Sequence, residues 1–582
     1  MVLTFWDGVI IVAFLVLSLA IGLYFSKRAS QDIGEFFLGG RNLPWWIAGT
    51  SMVATTFAAD TPLAVTELVS KNGVAGNWLW WNMLAGGMLT VFFFARYWRR
   101  AEILTDVELV ELRYSGKPAA FLRGFKAVYL GLFMNSLIIG WVNIALMSLL
   151  KVFFNIPDDL LLWYIGGAMV LVTLYSSLSG LLGVAFTDLV QFTIAMTGCI
   201  ILAVLVVNSP EIGGIDNLKA SLPEGTLNLF PTIGKETGAG TVLALSLGTF
   251  LTFVGLQWWA AWYPGSEPGG GGYIAQRMMS AKNEKHAVFA TLFFQITHYC
   301  LRPWPWILVG LSAIILYPDL SEADKKLGFV MAMRDFLPPG LRGLLLVAFF
   351  AAYMSTISTQ LNWGTSYLVN DLFKRFGRTD TSPRRLVMAS RIGTVLVMAV
   401  SLIITSYIET IEGVWTLLLE AGAGLGLVLI LRWFWWRVNA YSEITATIFP
   451  LIAYLIGHYG FGFEFPESFV FILVTTSIAW LAVTFLTRPT DRAHLEAFYR
   501  RIEPDGWWGP FRDKARGRES RKRLTMLTVC WISSIVMAYS TLFFIGKIIF
   551  KEWSEAGIYF VLVAVSLGIL LTTARKVRIF GD

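Results

Sequence analysis

The chain has 582 residues, of which 15% are charged and 56% are hydrophobic, and 53 more are glycines. Ordinary soluble domains have about 25% charged residues, so this composition excludes a soluble enzyme, a nucleic-acid-binding domain and a disordered chain. The net charge of +7 does not indicate an acidic partner, because the basic residues lie in short segments between apolar runs. The three cysteines have no spacing that suggests a disulfide framework or a metal motif. The sequence predicts a polytopic membrane protein.

Fifteen apolar runs are long enough to cross a bilayer as helices, at about 20 residues each. They are centred near Phe14, Ala54, Gly86, Ile138, Val170, Thr197, Leu251, Trp306, Val347, Val395, Gly424, Pro450, Val474, Ile535 and Ala564. The first run follows only six residues and has no basic segment in front of it. We therefore expect no signal peptide.

Basic residues concentrate in alternate loops, as in the segments that follow the first, third, seventh and ninth spans. The positive-inside rule then predicts an N-terminus outside the cell and a cytoplasmic C-terminus. The longest cytoplasmic loop, residues 488–524, contains eleven Lys/Arg and six Asp/Glu. We interpret this loop as a solvated segment that sets the orientation, with a docking or anionic-lipid site as the alternative.

Two spans contain residues that interrupt helices. The second span is rich in small and hydroxyl residues from Gly49 to Thr56 and ends at Asp60-Thr61-Pro62, and the seventh runs into Pro264–Gly272 with four consecutive glycines. Unwound backbone at membrane depth is tolerated only where it lines a cavity or holds a cation. A pair of such segments in oppositely inserted halves indicates the binding site of a transporter. Close packing through small residues is the alternative for each segment.

Acidic side chains at membrane depth form a second signal, since each costs at least about 2.5–3.5 kcal/mol and needs a partner. Asp188 lies near the start of the sixth span, where an interfacial anchor is the alternative interpretation. Asp60 and Glu67 flank the end of the second span and could lie at the outer interface. Glu420 is deeper, and a buried ion pair with a Lys or Arg is the alternative there.

The ninth span contains Ser355, Thr356, Ser358 and Thr359, four hydroxyls in five residues. At 100° per residue, Ser355, Ser358 and Thr359 share one helix face, and Thr356 points about 100° away from Ser355. Neutral oxygens at two angles suit a monovalent cation that must later be released. Hydrogen bonding to the preceding turn and polar helix packing are the alternative.

Four segments resemble motifs of the sodium:solute symporter family. They are Glu35–Trp46, Thr187–Gln191, Gln276–Lys282, and the run from Ser355 to Asn362 with Asn370-Asp371. This family includes the sodium-coupled sugar, proline, pantothenate and sialic acid carriers. The motifs occur in the family order over about residues 1–440, and they do not specify the substrate.

The resemblance implies an all-α polytopic membrane protein with a LeuT-type fold. Residues 1–42 would form one leading transmembrane helix and the entry loop. Two inverted five-helix repeats would occupy residues 43–208 and 240–438. Residues 209–239 would form an extracellular loop, and residues 439–582 would add about four C-terminal helices with the 488–524 loop.

The resemblance also implies two sodium sites. The first would use backbone carbonyls of Ala54, Phe57 and Ala352 and the hydroxyls of Ser355 and Thr356. The second, found in part of the family, would use Asp188, Ser355, Ser358 and Thr359. Two coupled sodium ions therefore fit the sequence, with one the firmer expectation.

Substrate residues cannot be carried over from the family, because the Pro264–Gly272 stretch resembles an insertion and the eleventh span lacks the family's mid-helix proline. From their polar or aromatic character, the substrate residues that we expect are Thr61, Asn82, Gln257, Trp258 and Glu420. Core packing is the alternative for Trp258.

The resulting prediction is a secondary active symporter of the cell membrane, not an enzyme. It would import a small polar solute, such as a sugar, amino acid or organic acid, with Na⁺, and its partners would be the solute, sodium and the bilayer, with no nucleic acid. A proton-coupled carrier that titrates Asp188 or Glu420 is the nearest alternative. A membrane sensor or enzyme is another, although the four histidines form no catalytic or metal motif.

Overall fold

The computed structural model describes residues 3–29, 38–176, 181–231, 247–377 and 383–579. The described part of the chain is all-helical, with about 80% of the described residues in helices. In the described ranges, β pairing is limited to two isolated bridges, Leu43 with Ala281 and Trp435 with Trp507. Residues 35–37 of the first family motif lie outside the described residues, as do residues 232–246 at the start of the predicted seventh span.

The helices of the described residues are given in chain order. The first eleven are α1 (Phe5–Ala29), α2 (Trp45–Thr55), α3 (Asp60–Asn72), α4 (Val74–Ala101), α5 (Glu108–Arg113), α6 (Gly116–Phe154), α7 (Asp158–Ser176), α8 (Leu181–Val207), α9 (Ile215–Ser221), α10 (residues 247–260) and α11 (Gly272–Ser280). The others are α12 (Glu284–Leu316), α13 (Leu327–Phe336), α14 (Leu341–Lys374), α15 (Pro383–Thr405), α16 (Ile411–Ala421), α17 (Leu425–Phe434), α18 (Ala440–Gly460), α19 (Glu467–Leu486), α20 (Arg492–Ile502), α21 (Lys514–Ile549) and α22 (Trp553–Val577).

Ten of the described helices are long and apolar enough to cross a membrane, and α16 with α17, bent by 52°, can make an eleventh. The expectation of about fifteen spans is therefore not confirmed by this count. Two of the four predicted spans that are missing from the count, the second and the seventh, are interrupted by helix breaks. Helices α2 and α3 have 11 and 13 residues, and at 1.5 Å per residue neither crosses a hydrocarbon layer of about 30 Å alone.

Both predicted helix breaks are present. Helix α2 ends at Thr55 and α3 begins at Asp60, so four residues between them are outside either helix. Helix α10 ends at Ala260 and α11 begins at Gly272. In this second break Gly265, Gly269 and Gly270 have φ of 81–82°, a left-handed conformation that glycine adopts without the steric cost other residues meet.

Helices α6 and α14 approach each other at two glycines. A Cβ atom on Gly364 would lie 2.3 Å from the carbonyl oxygen of Gly131 and 2.3 Å from the side-chain nitrogen of Asn135. The same Asn135 nitrogen donates a hydrogen bond to the carbonyl of Gln360 at 2.7 Å. Small residues let two helix backbones come this close, and Gly364 of α14 is thereby held against Gly131 of α6.

One end of the molecule is rich in arginine, at the ends of α4, α6 and α14. There Arg123 of α6 donates to Asp371 of α14 at 2.7 Å and to Glu111 of α5 at 2.7 Å. Glu111 also accepts from Arg375 at 2.8 Å. This network joins α5, α6 and α14 across what we call the arginine-rich end.

A second, fully buried ion-pair group lies nearby. Glu443 of α18 accepts from Lys126 of α6, from Arg432 of α17 at 3.0 Å and from the hydroxyl of Tyr114 at 2.8 Å. Two cations and a hydroxyl therefore share one carboxylate, which links the last helix of the predicted second repeat to the first repeat and to the C-terminal helices.

Candidate functional site

The site is built around Asp188, which is 1% exposed on α8. Ser51 of the broken helix α2 donates to its Oδ2 at 2.9 Å, and Ser355 of α14 donates to its Oδ1 at 2.9 Å. One carboxylate therefore connects three helices that are far apart in the sequence. This position differs from the interfacial anchor that the sequence left open for Asp188.

Arg277 of α11 is linked to this carboxylate through the hydroxyl of Ser51, to which both side chains are hydrogen-bonded. Its Nε donates to the hydroxyl of Ser51 at 3.4 Å, and its Nη2 donates to the hydroxyl of Thr55 at 3.3 Å. Arg277 is itself buried, and its charge is opposite to that of Asp188, so the two compensate each other at a depth where an isolated charge is costly. The second broken helix thus contacts the last turn of the first.

The break between α2 and α3 is held by another arginine, Arg302 of α12. Its Nη1 donates to the carbonyl of Val53 at 3.0 Å and to the hydroxyl of Thr56 at 3.1 Å, and its Nη2 donates to the carbonyl of Thr56 at 3.1 Å. The guanidinium also lies 5.2 Å from the ring centroid of Trp306, a cation–π distance. Arg302 therefore satisfies backbone acceptors that the end of a helix leaves without partners.

The two residues predicted to offer carbonyls in this segment are differently placed. The carbonyl of Ala54 accepts the N–H of Phe57 at 2.9 Å, which leaves one of its two lone pairs for another donor or an ion. The Phe57 ring is buried and packs against Phe192, Trp306 and Phe349. The aromatic packing fixes the backbone where the helix is unwound.

The hydroxyl groups of α14 point in two directions, as helix geometry predicts. Ser355 bonds to Asp188, whereas Thr356, one residue on, faces the central cavity described next. Ala352 lies one turn before Thr356 and is buried. Ser358 and Thr359 occupy the next turn on the Ser355 face, with Ser358 buried and Thr359 half-buried.

A cavity of about 80 Å³ lies beside the break. Its walls combine hydroxyl, charged and aromatic side chains from α2, α3, α4, α6, α11, α12, α14 and α16 and from both helix breaks. The lining residues are Thr55, Thr56, Ala58, Asp60, Thr61, Trp80, Met83, Ile138, Trp141, Val142, Tyr263, Pro264, Gly265, Ser266, Tyr273, His298, Tyr299, Arg302, Thr356, Gln360 and Trp415. Both helix breaks and the hydroxyl-rich helix thus meet at one cavity.

Two acceptor atoms among these lining residues have no hydrogen-bond partner among the described residues. They are Oδ1 of Asp60 and Oε1 of Gln360, both in buried side chains. A buried acceptor without a donor costs about 1–3 kcal/mol, so a ligand that brings hydroxyl or N–H groups would recover this energy. The cavity is therefore suited chemically to a polar solute.

Of the five residues expected to contact substrate, Thr61 lines the cavity. The structure places the other four outside its lining. The amides of Asn82 and Gln257 donate to the carbonyl of Leu79 in α4 at 2.9 and 2.8 Å. Trp258 packs against Trp531, with ring centroids 5.4 Å apart, in agreement with the core-packing alternative.

The other acidic residues singled out in the sequence, Glu420, Glu67 and Asp60, are all buried. Glu420 is buried in α16 and accepts a hydrogen bond from the hydroxyl of Ser468. In the described part of the chain Glu420 makes no ion pair, so the ion-pair interpretation does not hold there. Glu67 is fully buried and pairs with Lys71 at 2.9 Å, and Lys71 also reaches Glu412 of α16 at 3.0 Å. Asp60 is buried in the cavity wall and not at the outer interface.

Several site residues were missed at the level of sequence. Arg302 is a cation within an otherwise apolar run, so the rule that flagged the membrane-depth acids would have flagged it too. Gln360 lies one turn beyond Thr356 on the same face and could have been grouped with it. Trp141 and Tyr263 carry no such signal, because aromatic residues are abundant throughout the chain.

These features define a class of protein. Two discontinuous helices, a buried acid shared with a hydroxyl-rich helix and a cavity between them with polar side chains in its wall are the arrangement of a secondary transporter. In the described residues no group of three or more His, Cys, Asp or Glu could hold a metal ion.

Comparisons with known proteins agree with this class. The model of the sodium:solute symporter family matches residues 36–449. The sodium/sialic acid symporter SiaT of Proteus mirabilis is 23% identical, over 79% of this chain and 91% of that protein. The sodium/glucose cotransporter of Vibrio parahaemolyticus is also 23% identical, over 83% of this chain and 91% of that protein. Solute carrier family 5 member 4B of Mus musculus is 24% identical, over 84% and 80%.

Among solved structures, a substrate-bound, outward-open Na⁺-coupled sialic acid symporter aligns with a TM-score of 0.66 at 19% identity, covering 84% of this chain and 99% of that one. The chain therefore has the same fold as that transporter. The chain belongs to the sodium:solute symporter family. It is a membrane transporter and not an enzyme, and sodium is its coupling ion.

Proposed function

We propose that the protein imports a small polar organic solute together with Na⁺ across the cell membrane by alternating access. The observation that carries this proposal is the carboxylate of Asp188, shared at 2.9 Å by Ser51 of the broken helix and Ser355 of the hydroxyl-rich helix. The positive-inside rule supports an N-terminus outside the cell and a cytoplasmic C-terminus, which would make the arginine-rich end cytoplasmic.

The first sodium ion would lie between the carbonyls of Ala54, Phe57 and Ala352 and the hydroxyls of Ser355 and Thr356. Two observations support this position. Arg302 binds the carbonyls of Val53 and Thr56, which are next to those of Ala54 and Phe57 in the sequence. Thr356 lines the same cavity as Thr56. Sodium bound there would tie α2 to α14 and favour the outward-open state. Only its differential affinity for the two states shifts the equilibrium.

A second sodium ion would lie between Asp188, Ser355, Ser358 and Thr359. Asp188 already contacts Ser355, and Ser358 and Thr359 follow on the same helix face. Binding there would compete with the hydrogen bonds that Asp188 accepts, so its affinity would be lower than that of the first site.

The two inverted repeats would comprise residues 43–208 and 240–438, preceded by a leading segment (1–42) and separated by an extracellular loop (209–239). Residues 439–582 would be the C-terminal addition with its 488–524 loop. Each repeat would begin with a broken helix, α2 with α3 in the first and α10 with α11 in the second. This placement supports the division, since the breaks of such repeats meet at the binding site.

The solute would bind in the cavity beside Thr61, Asp60 and Gln360. The unpartnered acceptors of Asp60 and Gln360 favour a solute with several hydroxyl or N–H donors, such as a sugar or an amino acid. A thermal-shift screen of the purified protein against a metabolite panel, with and without Na⁺, would identify it.

The sodium site is tested by replacing Ser355 and Thr356 together with alanine. The sodium concentration that half-maximally raises the thermal midpoint should increase at least tenfold, because two of five oxygen ligands are removed. The matched control replaces Thr365 and Ser366, a pair of adjacent hydroxyls further along α14 that belongs to neither predicted sodium site, and should bind sodium like the wild type. An unaltered sodium response in the first variant would refute the assignment.

Uptake that persists with choline in place of Na⁺ at fixed pH would indicate proton coupling.

The solute site is tested with two buried glutamines. Gln360→Leu removes an acceptor in the cavity wall, whereas Gln257→Leu removes an amide that bonds to α4 outside the cavity. We expect the KM for the identified solute to rise at least tenfold in the first variant and less than twofold in the second. The reverse order would move the substrate site to the neighbourhood of Gln257.

A further inference from the structure

A groove of about 740 Å³ lies between α4, α17 and the start of α21, apart from the transport site. Its walls are mostly apolar and include two tryptophans and two arginines. The residues that line it are Leu89, Phe93, Ile430, Leu431, Phe434, Trp436, Gly506, Trp507, Gly509, Pro510, Arg512, Arg521 and Leu524. Part of the wall is thus the 488–524 loop, whose role the transport function does not explain.

The groove lies where apolar segments of α4 and α21 adjoin basic segments of the same helices. Helix α4 continues from Leu89 and Phe93 to its basic end at Arg99 and Arg100, and α21 changes from a basic first part to apolar residues at Leu524. Apolar runs end and basic residues begin at the boundary between hydrocarbon and headgroups. One end of the groove therefore faces acyl chains and the other faces headgroups.

The tryptophans of the groove also agree with a position at the headgroup level of the membrane. Trp507 is 64% exposed although it is large and apolar, and its backbone pairs with Trp435 next to the groove residue Trp436. Tryptophan is enriched at the headgroup level of membranes. An exposed tryptophan at this point is a favourable contact for lipid and an unfavourable one for water.

The charges that line the groove are all positive. Arg512 and Arg521 are its charged lining residues, and no carboxylate lines it. Nη1 of Arg512 has no hydrogen-bond partner among the described residues, while its Nη2 donates to the carbonyl of Gly506. The nearby Asp505 accepts from Tyr97 at 3.1 Å and lies 3.6 Å from Arg523, so its charge is already compensated.

We propose that this groove binds one anionic phospholipid. The phosphate would lie between Arg512 and Arg521, since guanidinium groups bind phosphate through paired N–H donors. An acyl chain would lie along Leu89, Phe93 and Leu431. A zwitterionic lipid of the same chain length would bind more weakly, because its ammonium group adds a positive charge near two arginines. The bound lipid would hold the 488–524 loop against α4 and α17.

The experiment is native mass spectrometry of the purified full chain in detergent, titrated with dioleoylphosphatidylglycerol or dioleoylphosphatidylcholine. We expect the wild type to bind one molecule of the anionic lipid at least fivefold more tightly than the zwitterionic one. The double variant Arg512→Gln with Arg521→Gln should lose this preference. The matched control, Arg516→Gln with Arg518→Gln, removes two exposed charges from the same helix outside the groove and should keep it.

A variant that keeps both arginines tests the shape of the groove. Gly509 lines it, and a Cβ atom there would meet no atom within 4 Å, so Gly509→Leu should fold normally, occupy the groove and weaken anionic lipid binding at least fivefold. Equal loss in the Arg516/Arg518 control would show general charge attraction and overturn the proposal. Wild-type lipid binding in both groove variants would overturn it as well.

Discussion

The most informative perturbation is Arg302→Gln, because Arg302 holds the helix break without being a predicted sodium ligand. The wild-type side chain makes three hydrogen bonds of 3.0–3.1 Å to Val53 and Thr56. Hydrogen bonds from charged donors contribute about 1.5–3 kcal/mol each, which bounds the total at about 4.5–9 kcal/mol. Glutamine can replace one of these bonds, and relaxation of the backbone recovers part of the rest.

If the energy of only one bond is lost from the sodium-competent conformation, sodium affinity falls about tenfold, since 1.4 kcal/mol corresponds to a factor of ten. The assay is sodium titration of the thermal midpoint, with the sodium dependence of uptake as a second readout. Arg302→Lys keeps the charge but not the planar donors and should give an intermediate value. Arg334→Gln, which removes a surface pair with Asp335, is the control. A folded Arg302→Gln protein with sodium affinity within twofold of wild type would refute the reasoning.

Two further predictions concern stability. Glu443→Gln leaves Lys126 and Arg432 buried without their carboxylate, and such a loss costs about 3–5 kcal/mol of folding free energy. We expect a clear fall in the thermal midpoint of the protein in detergent. An unchanged midpoint would contradict this prediction. Burial raises the pKa of Glu111, but hydrogen bonds from Arg375 and Arg123 outweigh burial and leave the pKa lowered. Its stabilising effect should therefore be full above the ordinary value of 4.5 and be lost as pH falls through the lowered pKa. The difference in unfolding free energy between the wild type and Glu111→Gln should shrink below pH 4.5. A difference that does not change with pH would argue against stabilisation by the ion pairs of Glu111 with Arg123 and Arg375.

The breaks in the helices could be predicted because their causes are local. Proline at residue 62 follows a run of small residues, and the second break contains two prolines and five glycines between Pro264 and Gly272. Asp188 could be singled out because a charge at membrane depth needs a partner. The angular separation of Ser355 and Thr356 follows from helix geometry alone.

What could not be predicted depends on contacts between distant parts of the chain. Arg302 and Thr56 are 246 residues apart, and no local pattern connects them. Gln257 has the polarity of a binding residue, but its partner is a carbonyl of α4 178 residues away. Polarity indicates that a buried residue needs a partner, and tertiary packing decides whether the partner is backbone or solute.

The close contact of Gly131 with Gly364 has a consequence for the transport cycle. With the backbones of α6 and α14 this near, neither helix can slide along the other without driving main-chain atoms into the side chain of Asn135. We therefore expect the two helices to move as one rigid body. In the proposed alternating-access cycle, the angular changes that open each face of the membrane in turn would fall to the short half-helices on either side of the breaks, where the backbone already lacks a continuous ladder of hydrogen bonds.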